Sequence, residues 1–313
     1  MKKNILGDHA SNVRTLRRSI WRQMSLSQRD VASAWVLVLP ALIFMVAILI
    51  FPLVWSFNLS FTDKVVGADY KYIGFRNYIN LFDNEQFRNA LKTTVIFTFL
   101  AILFKTIFGV ILALLMNMEF RGRNIARALL IIPWALPNIV SVLNWKWIFS
   151  THGGAINEIL HALGFIDKSI AWTSTAALAM FVVVFVNVWR GSPFIGISVL
   201  SKLQTIDSSY YEAAHLDGAN LLQRFWYITL PSIKNALIVA VLVSTIWTVN
   251  EFELVWVMTG GGPAMATELL SVFSYRTVLT YRTIGVAAAV PIILMPVLLF
   301  LIGQVSKFKS ESM

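Results

Sequence analysis

Residues 34–57 read AWVLVLPALIFMVAILIFPLVWSF, a run that contains no charged side chain. Crossing the hydrocarbon core of a bilayer takes about 20 apolar residues, so this run is long enough to span. It is too long for a signal-peptide core and lacks an obvious small-x-small cleavage site, and it therefore reads as a retained span. Five further apolar segments of spanning length lie near 92–117, 128–149, 173–200, 236–259 and 283–305. The expectation is an all-α polytopic membrane protein with six transmembrane helices. Its membrane domain would cover 34–305, between an N-terminal tail (1–33) and a C-terminal tail (306–313).

Composition agrees. Of the 313 residues, 57% are hydrophobic and 13% charged, and the mean hydropathy is +0.69. Soluble domains are about a quarter charged. The absence of cysteine excludes disulfides, thiolate metal sites and a cysteine nucleophile. His9, His152, His161 and His215 are too scattered for a metal site. The net charge of +10 raises nucleic acid as a partner, but no basic stripe or recognition motif is present. The basic residues instead flank apolar segments. Arg17-Arg18 looks like a twin-arginine signal and reads better as part of a basic cytoplasmic tail.

Lys and Arg set the expected orientation. Segments 1–33, 118–127, 201–235 and 306–313 carry 15 of them, against 7 in 58–91, 150–172 and 260–282. The positive-inside rule then places both termini and segment 201–235 in the cytoplasm. Segment 58–91 is too short for a separate domain and is expected to form a turn and a short interfacial helix. Pro40, Pro52, Pro133, Pro137, Pro193, Pro291 and Pro296 fall in or beside spans, where neighbours can re-satisfy the freed backbone. Gly191-Ser192-Pro193 is expected to kink or interrupt the fourth span. No soluble domain, low-complexity tract or internal repeat is evident.

The segment TIDSSYYEAAHLDGANLLQRFWYITLPSIKNA begins at Thr205. Ser209-x-x-Glu212 has the form of a capping box. Ala213 and Ala214 favour helix and allow close approach to another surface. Gly218 suits the left-handed residue that ends a helix. Asp217 is unfavourable at a helix C-terminus and is expected to cap the next helix or pair with Arg224. Asn220 opens a second helix, and Pro231 marks a bend at re-entry to the membrane. The result is a compact helix–turn–helix, either a lever for an intracellular partner or a turn packed on its own bundle.

Glu212-Ala213-Ala214, Asp217-Gly218-Ala219, Phe225, Ile228 and Leu230-Pro231 resemble the EAA loop of binding-protein-dependent ABC importer permeases. Leu39-Pro40-Ala41, Leu59-Ser60-Phe61-Thr62-Asp63, Ile132-Pro133-Trp134, Asn187-Val188-Trp189-Arg190-Gly191 and Thr259-Gly260-Gly261-Gly262-Pro263 extend the resemblance to the carbohydrate-uptake branch, similar to maltose-type and glycerol-phosphate-type permeases. It covers nearly the whole chain beyond the N-terminal tail. The tail is long for the family, and Tyr275-Arg276-Thr277-Val278 is a loose match. The resemblance implies a bacterial inner-membrane subunit that imports a sugar or sugar derivative. It also implies a second permease, two ATPase subunits that bind ATP and Mg, and an extracytoplasmic solute-binding protein. Glu212, Ala213, Ala214, Asp217 and Gly218 would be the ATPase-coupling positions, with no cofactor on this chain.

Polar residues inside spans are costly and mark functional candidates. Asn187 and Arg190 lie in the fourth span, and Asn250, Glu251 and Glu253 in the fifth. Glu251 and Glu253 would point about 200° apart on a helix, so one could face the path and the other a partner chain or Arg190. Trp189 and Trp247 lead the candidate sugar-stacking rings, with Trp145, Trp147, Phe252 and Trp256 behind them. Trp145-Lys146-Trp147 has the form of an aromatic belt with a snorkelling lysine, and Lys92 and Lys105 also read as snorkelling or interfacial. The glycines of 260–262 lack the spacing of a phosphate-binding loop and are expected to form a hairpin that lines the path or meets a binding protein. The rival reading is an ion-coupled secondary transporter using Glu251 or Glu253; the lack of an inverted repeat weighs against it. An intramembrane enzyme finds no supporting constellation of residues.

Overall fold

The computed structural model describes residues 26–310. Arg17-Arg18 and most of the expected tail therefore lie outside the described residues. The chain divides into two compact units, one ending at Asn58 and the other beginning at Leu59.

In the first unit, α1 (Leu26–Met45) passes through a π turn (Val46–Ile50) into α2 (Phe51–Leu59). Proline has no N–H and its ring clashes with the carbonyl four residues back. For Pro52 that carbonyl belongs to Ile48, inside the π turn, and the Phe51 amide bonds Val46 O instead. No residue from Val46 to Leu59 is buried. A helix apolar on all sides is suited to lipid.

The second unit holds α3 (Arg76–Asp83), α4 (Glu85–Asn117), α5 (Arg123–Ala135), α6 (Asn138–Ile148), α7 (Ala155–Ala162) and α8 (Ala176–Leu203). After these come α9 (Ser208–Leu216), α10 (Leu221–Arg224), a π turn (Phe225–Thr229), α11 (Leu230–Val249), α12 (Glu253–Met258), α13 (Leu270–Leu279) and α14 (Ile284–Ser310). Among the described residues there are only two isolated β-bridges, Thr62↔Tyr72 and Val65↔Thr283. Segment 58–91 forms the expected turn and short helix, α3. Buried Asn77 donates from Nδ2 to Ser60 O and Thr62 O, each at 2.8 Å.

Five helical runs are long and apolar enough to cross a membrane, or six if the bent pair α5–α6 is one span. The expected third span is thus not a straight helix. Its halves meet at 92°, because a residue before proline is pushed out of the helical region and Leu136, before Pro137, has ψ 141°. The fifth span also differs from expectation. It is helical from Leu221 to Val249 and breaks at Asn250–Phe252 before α12. The bend expected at Pro231 is absent: a π turn absorbs the proline, and the Leu230 amide bonds Phe225 O. Nor is the fourth span interrupted, since α8 runs unbroken through Gly191-Ser192-Pro193.

α4 and α8 are the central pair. α4 starts at Asn84, whose side chain accepts from the Phe87 amide at 3.0 Å. Its buried stripe includes Ala90, Thr94, Phe97, Ala101, Lys105, Gly109 and Ala113, at the three- and four-residue spacing of one helix face. Small residues let membrane helices approach closely. A Cβ built on Gly109 would lie 2.7 Å from Ile195 Cβ on α8. A third wall comes from α11, and Ile195, Val199, Ile233 and Ala240 join these helices in one core. Near the other end of α8, Phe97, Val142, Val182 and Val255 form another. There the hairpin 150–172 is organised by fully buried Asn157. Its Nδ2 donates to Ser150, Thr151 and Ile170 carbonyls, while its Oδ1 accepts from Ile170 N and Trp172 Nε1.

Gly109→Ala is expected to lose about 1–3 kcal/mol, the usual range for overpacking. Gly303→Ala adds its methyl to open space and should shift stability by no more than about 0.5 kcal/mol, as surface substitutions do. Thermal unfolding of the two purified variants checks the contrast.

Candidate functional site

Segment 204–220 joins α8 to the run that begins with α10. The N-cap of α9 is Asp207, whose Oδ1 accepts from the Ser209 amide at 2.9 Å. The capping box expected from Ser209 and Glu212 is therefore corrected: the cap lies two residues earlier, at Asp207, because aspartate caps as well as serine. That amide bond, with help from the Ser209 hydroxyl, holds the Asp207 carboxyl below its ordinary range. The helix ends in a Schellman motif. Gly218 N donates to His215 O at 3.1 Å, Ala219 N donates to Ala214 O at 2.9 Å, and Gly218 has φ +77°. Asp217 occupies the C-cap and neither caps the next helix nor enters an ion pair among the described residues. The next cap is Asn220, in a reciprocal box with Gln223 at 2.8 and 2.9 Å. Tyr211 Oη lies 3.0 Å from Thr229 Oγ1, tying α9 to the π turn. Glu212, Ala213, Asp217 and Gly218 are exposed and Ala214 half-buried.

The membrane helices on either side of this segment meet again at a polar cleft. Asn187, about 24 Å along α8 from Leu203 at 1.5 Å per residue, donates from Nδ2 to Glu251 Oε2 at 3.1 Å. Glu251 Oε1 accepts from the Leu254 amide at 3.3 Å. Lys105 Nζ donates to Thr248 Oγ1 at 2.9 Å, and Thr248 Oγ1 donates to Ser244 O at 2.7 Å. Arg190 and Gly191 complete the polar lining, while Trp134, Phe194 and Trp247 supply aromatic faces. The Phe194 ring lies 4.8 Å from Trp247 and 6.0 Å from Trp134, centroid to centroid. The cleft measures about 30 Å³, room on the order of one water or two and not for a sugar ring.

Of the sequence candidates, Asn187, Arg190, Glu251 and Trp247 come together. Trp189 faces Trp145 at 5.2 Å instead. Asn250 is exposed and bonds Ile246 O at 2.8 Å. Glu253 accepts from Asn138 Nδ2 at 2.7 Å, away from the cleft lining. The 200° separation expected for Glu251 and Glu253 presumes a continuous helix, and the break at Asn250–Phe252 removes it. The Arg190–glutamate pair is not among the ion pairs of the described residues, which are Arg123–Glu119 and Arg276–Glu268.

Lys105 is the main residue misread. It is 4% exposed, so the snorkelling expectation fails for it. The signal was position: Lys105 lies twelve residues, about 18 Å, from the end of α4 and on its buried stripe with Ala101 and Gly109. Trp145 likewise belongs to the core-side aromatic cluster with Phe149 and Phe185, not to a belt, while Lys146 bonds Val257 O at 2.8 Å. Phe252 and Trp256 pack with Tyr275. Among the described residues no metal-holding cluster occurs.

The glycine stretch 260–262 forms a turn held by Thr267, whose Oγ1 lies 2.7 Å from Thr259 Oγ1 and donates to Gly262 O at 2.7 Å. Beneath it Arg276 pairs with Glu268 at 2.9 Å, the carboxylate side chain being 1% exposed. Arg276 also bonds Gly260 O. Burial pushes the Glu268 carboxyl upward, and Arg276 partly opposes the shift. A raised carboxyl pKa means the folded state holds its proton more tightly, so stability is lost as pH rises from the unfolded pKa through the folded one. The melting temperature of Glu268→Gln relative to the parent should therefore be more favourable at pH 8 than at pH 5. A difference that does not vary with pH would contradict this.

A family model described as "binding-protein-dependent transport system inner membrane component" matches residues 105–308. The trehalose/maltose transport system permease protein MalF of Thermococcus litoralis is 34% identical, with 86% of this chain and 90% of that relative covered. The sulfoquinovosyl glycerol transport system permease protein SmoG of Agrobacterium fabrum is 34% identical, with 83% and 85% covered. Among solved structures, a chain of a bacterial ABC transporter involved in import of the acidic polysaccharide alginate superposes with TM-score 0.77 at 22% identity, covering 92% of this chain and 99% of that one; that likeness speaks to the fold. With this family match over more than half its length and these relatives over most of it, the chain belongs to the binding-protein-dependent transport system inner membrane components, and it is a multi-pass membrane protein.

Proposed function

We propose that this chain is the permease subunit of an ATP-binding-cassette importer that moves a sugar or sugar derivative across the cytoplasmic membrane. The observation that carries the reading is the segment Asp207–Gln223. It is a short helix capped at both ends that presents Glu212, Ala213, Asp217 and Gly218 outward. Its neighbours in the chain are the two helices that meet at the polar cleft. A push on a helix fixed at both caps passes into α8 and α11 instead of being lost in a flexible loop.

On this reading the distribution of Lys and Arg puts both tails and segment 201–235 in the cytoplasm, and 34–305 is the membrane domain. Two ATPase subunits bind ATP and Mg and receive Glu212–Gly218. A second permease, similar or identical, completes the path, and an extracytoplasmic solute-binding protein delivers the solute. The sugar class is supported by the names of the relatives. Hydrogen-bonding Asn187, Arg190 and Glu251 beside the rings of Trp134, Phe194 and Trp247 suit hydroxyls and flat apolar faces. The names of these relatives lend no support to the ion-coupled reading.

Glu212→Lys is expected to abolish sugar uptake and co-purification of the ATPase while leaving the amount of inserted protein unchanged. Gly218→Pro should do the same, since proline cannot adopt φ +77°. Normal uptake in membrane vesicles carrying either variant would remove the coupling role.

A further inference from the structure

We propose that Lys105 is a positioning residue that holds the cleft closed: its ammonium, laid against Gly191 of α8, ties α4 to Thr248 at the end of α11. What closure means for transport rests on the importer reading above; the contacts themselves do not. Each wall of the cleft is bonded to another. α4 reaches α11 through Lys105 and Thr248, and α8 reaches the break after α11 through Asn187 and Glu251.

The position of the lysine depends on a missing side chain. A Cβ at residue 191 would stand 2.5 Å from Lys105 Cε and 2.9 Å from its Nζ, closer than real contacts allow. Gly191 therefore leaves the room through which the stem passes to Thr248. A buried ammonium without a partner is costly inside a membrane protein, and the Thr248 hydroxyl, turned by its own bond to Ser244 O, offers it a lone pair. Drawing α4 or α8 away from the end of α11 breaks the Lys105–Thr248 or the Asn187–Glu251 bond.

The chain has no cysteine, so a single Ser244→Cys in the lining can report opening. The assembly as purified from membranes would be labelled with a small charged thiol reagent, and the rate at this cysteine followed by mass. Lys105→Met should raise the rate about ten-fold. Gly191→Ala should raise it comparably, because the added methyl displaces the ammonium with every charge kept; this variant also serves if Lys105→Met assembles poorly. The double variant should label no faster than Lys105→Met, since both changes act through one group and coupled sites are not additive. A purely packing role predicts multiplied effects and a matching loss of melting temperature; a closure role predicts neither. A parental rate in either single variant, or a double variant faster than Lys105→Met, overturns the proposal. The readout needs no sugar, so loss of ATPase co-purification would count against the importer reading alone.

Discussion

A hydrogen-bonding group surrounded by hydrocarbon has only the protein to bond with. In this chain the group that feels the constraint most is the Lys105 ammonium. Twelve residues from the end of α4, it must find its partners on neighbouring helices, and it takes the hydroxyl of Thr248. That requires α4, α8 and α11 to pack closely, which Gly109 and Gly191 permit by presenting no side chain at the crossing. The polar cleft is the consequence: across the packed helices Lys105 bonds Thr248 and Asn187 bonds Glu251.

Proline and helix breaks do the complementary work. Where a proline follows a π turn, as at Pro52 and Pro231, the helix absorbs the lost bond and continues. Where it follows Leu136 the chain turns by 92°. The break after Val249 matters most for the site. It takes Glu251 off the line of α11, so its carboxylate meets Asn187 while Glu253, two residues on, meets Asn138. An unbroken helix would have sent the pair to opposite sides for a different reason, and without the bonds that now hold Glu251 in place.

Segment 204–220 solves a different problem, keeping a nine-residue helix in shape outside the packed bundle. Helices this short are marginal alone, and the caps compensate: Asp207 at one end, the Gly218 Schellman motif at the other and the Asn220–Gln223 box just beyond. Their stiffness is what suits the segment to the coupling role proposed for it.

Local chemistry was legible from the sequence. Apolar run length determined the all-α membrane class, because a bilayer imposes a minimum span and forbids unpaired backbone; five of the expected spans are long helices and the third is the bent pair α5–α6. Gly218 and Asn220 declared their roles for the same kind of reason: a positive φ and an N-cap are one-residue decisions. The Ser209 cap failed because Asp207, two residues earlier, caps the helix at the Ser209 amide itself. What tertiary structure alone decided is which polar groups share a space. Lys105 and Thr248 lie far apart in the chain, as do Asn187 and Glu251, and no local pattern reports their meeting. Whether a membrane lysine reaches for water or for a buried hydroxyl depends on the helix beside it, and here Gly191 leaves the opening that makes the second choice possible.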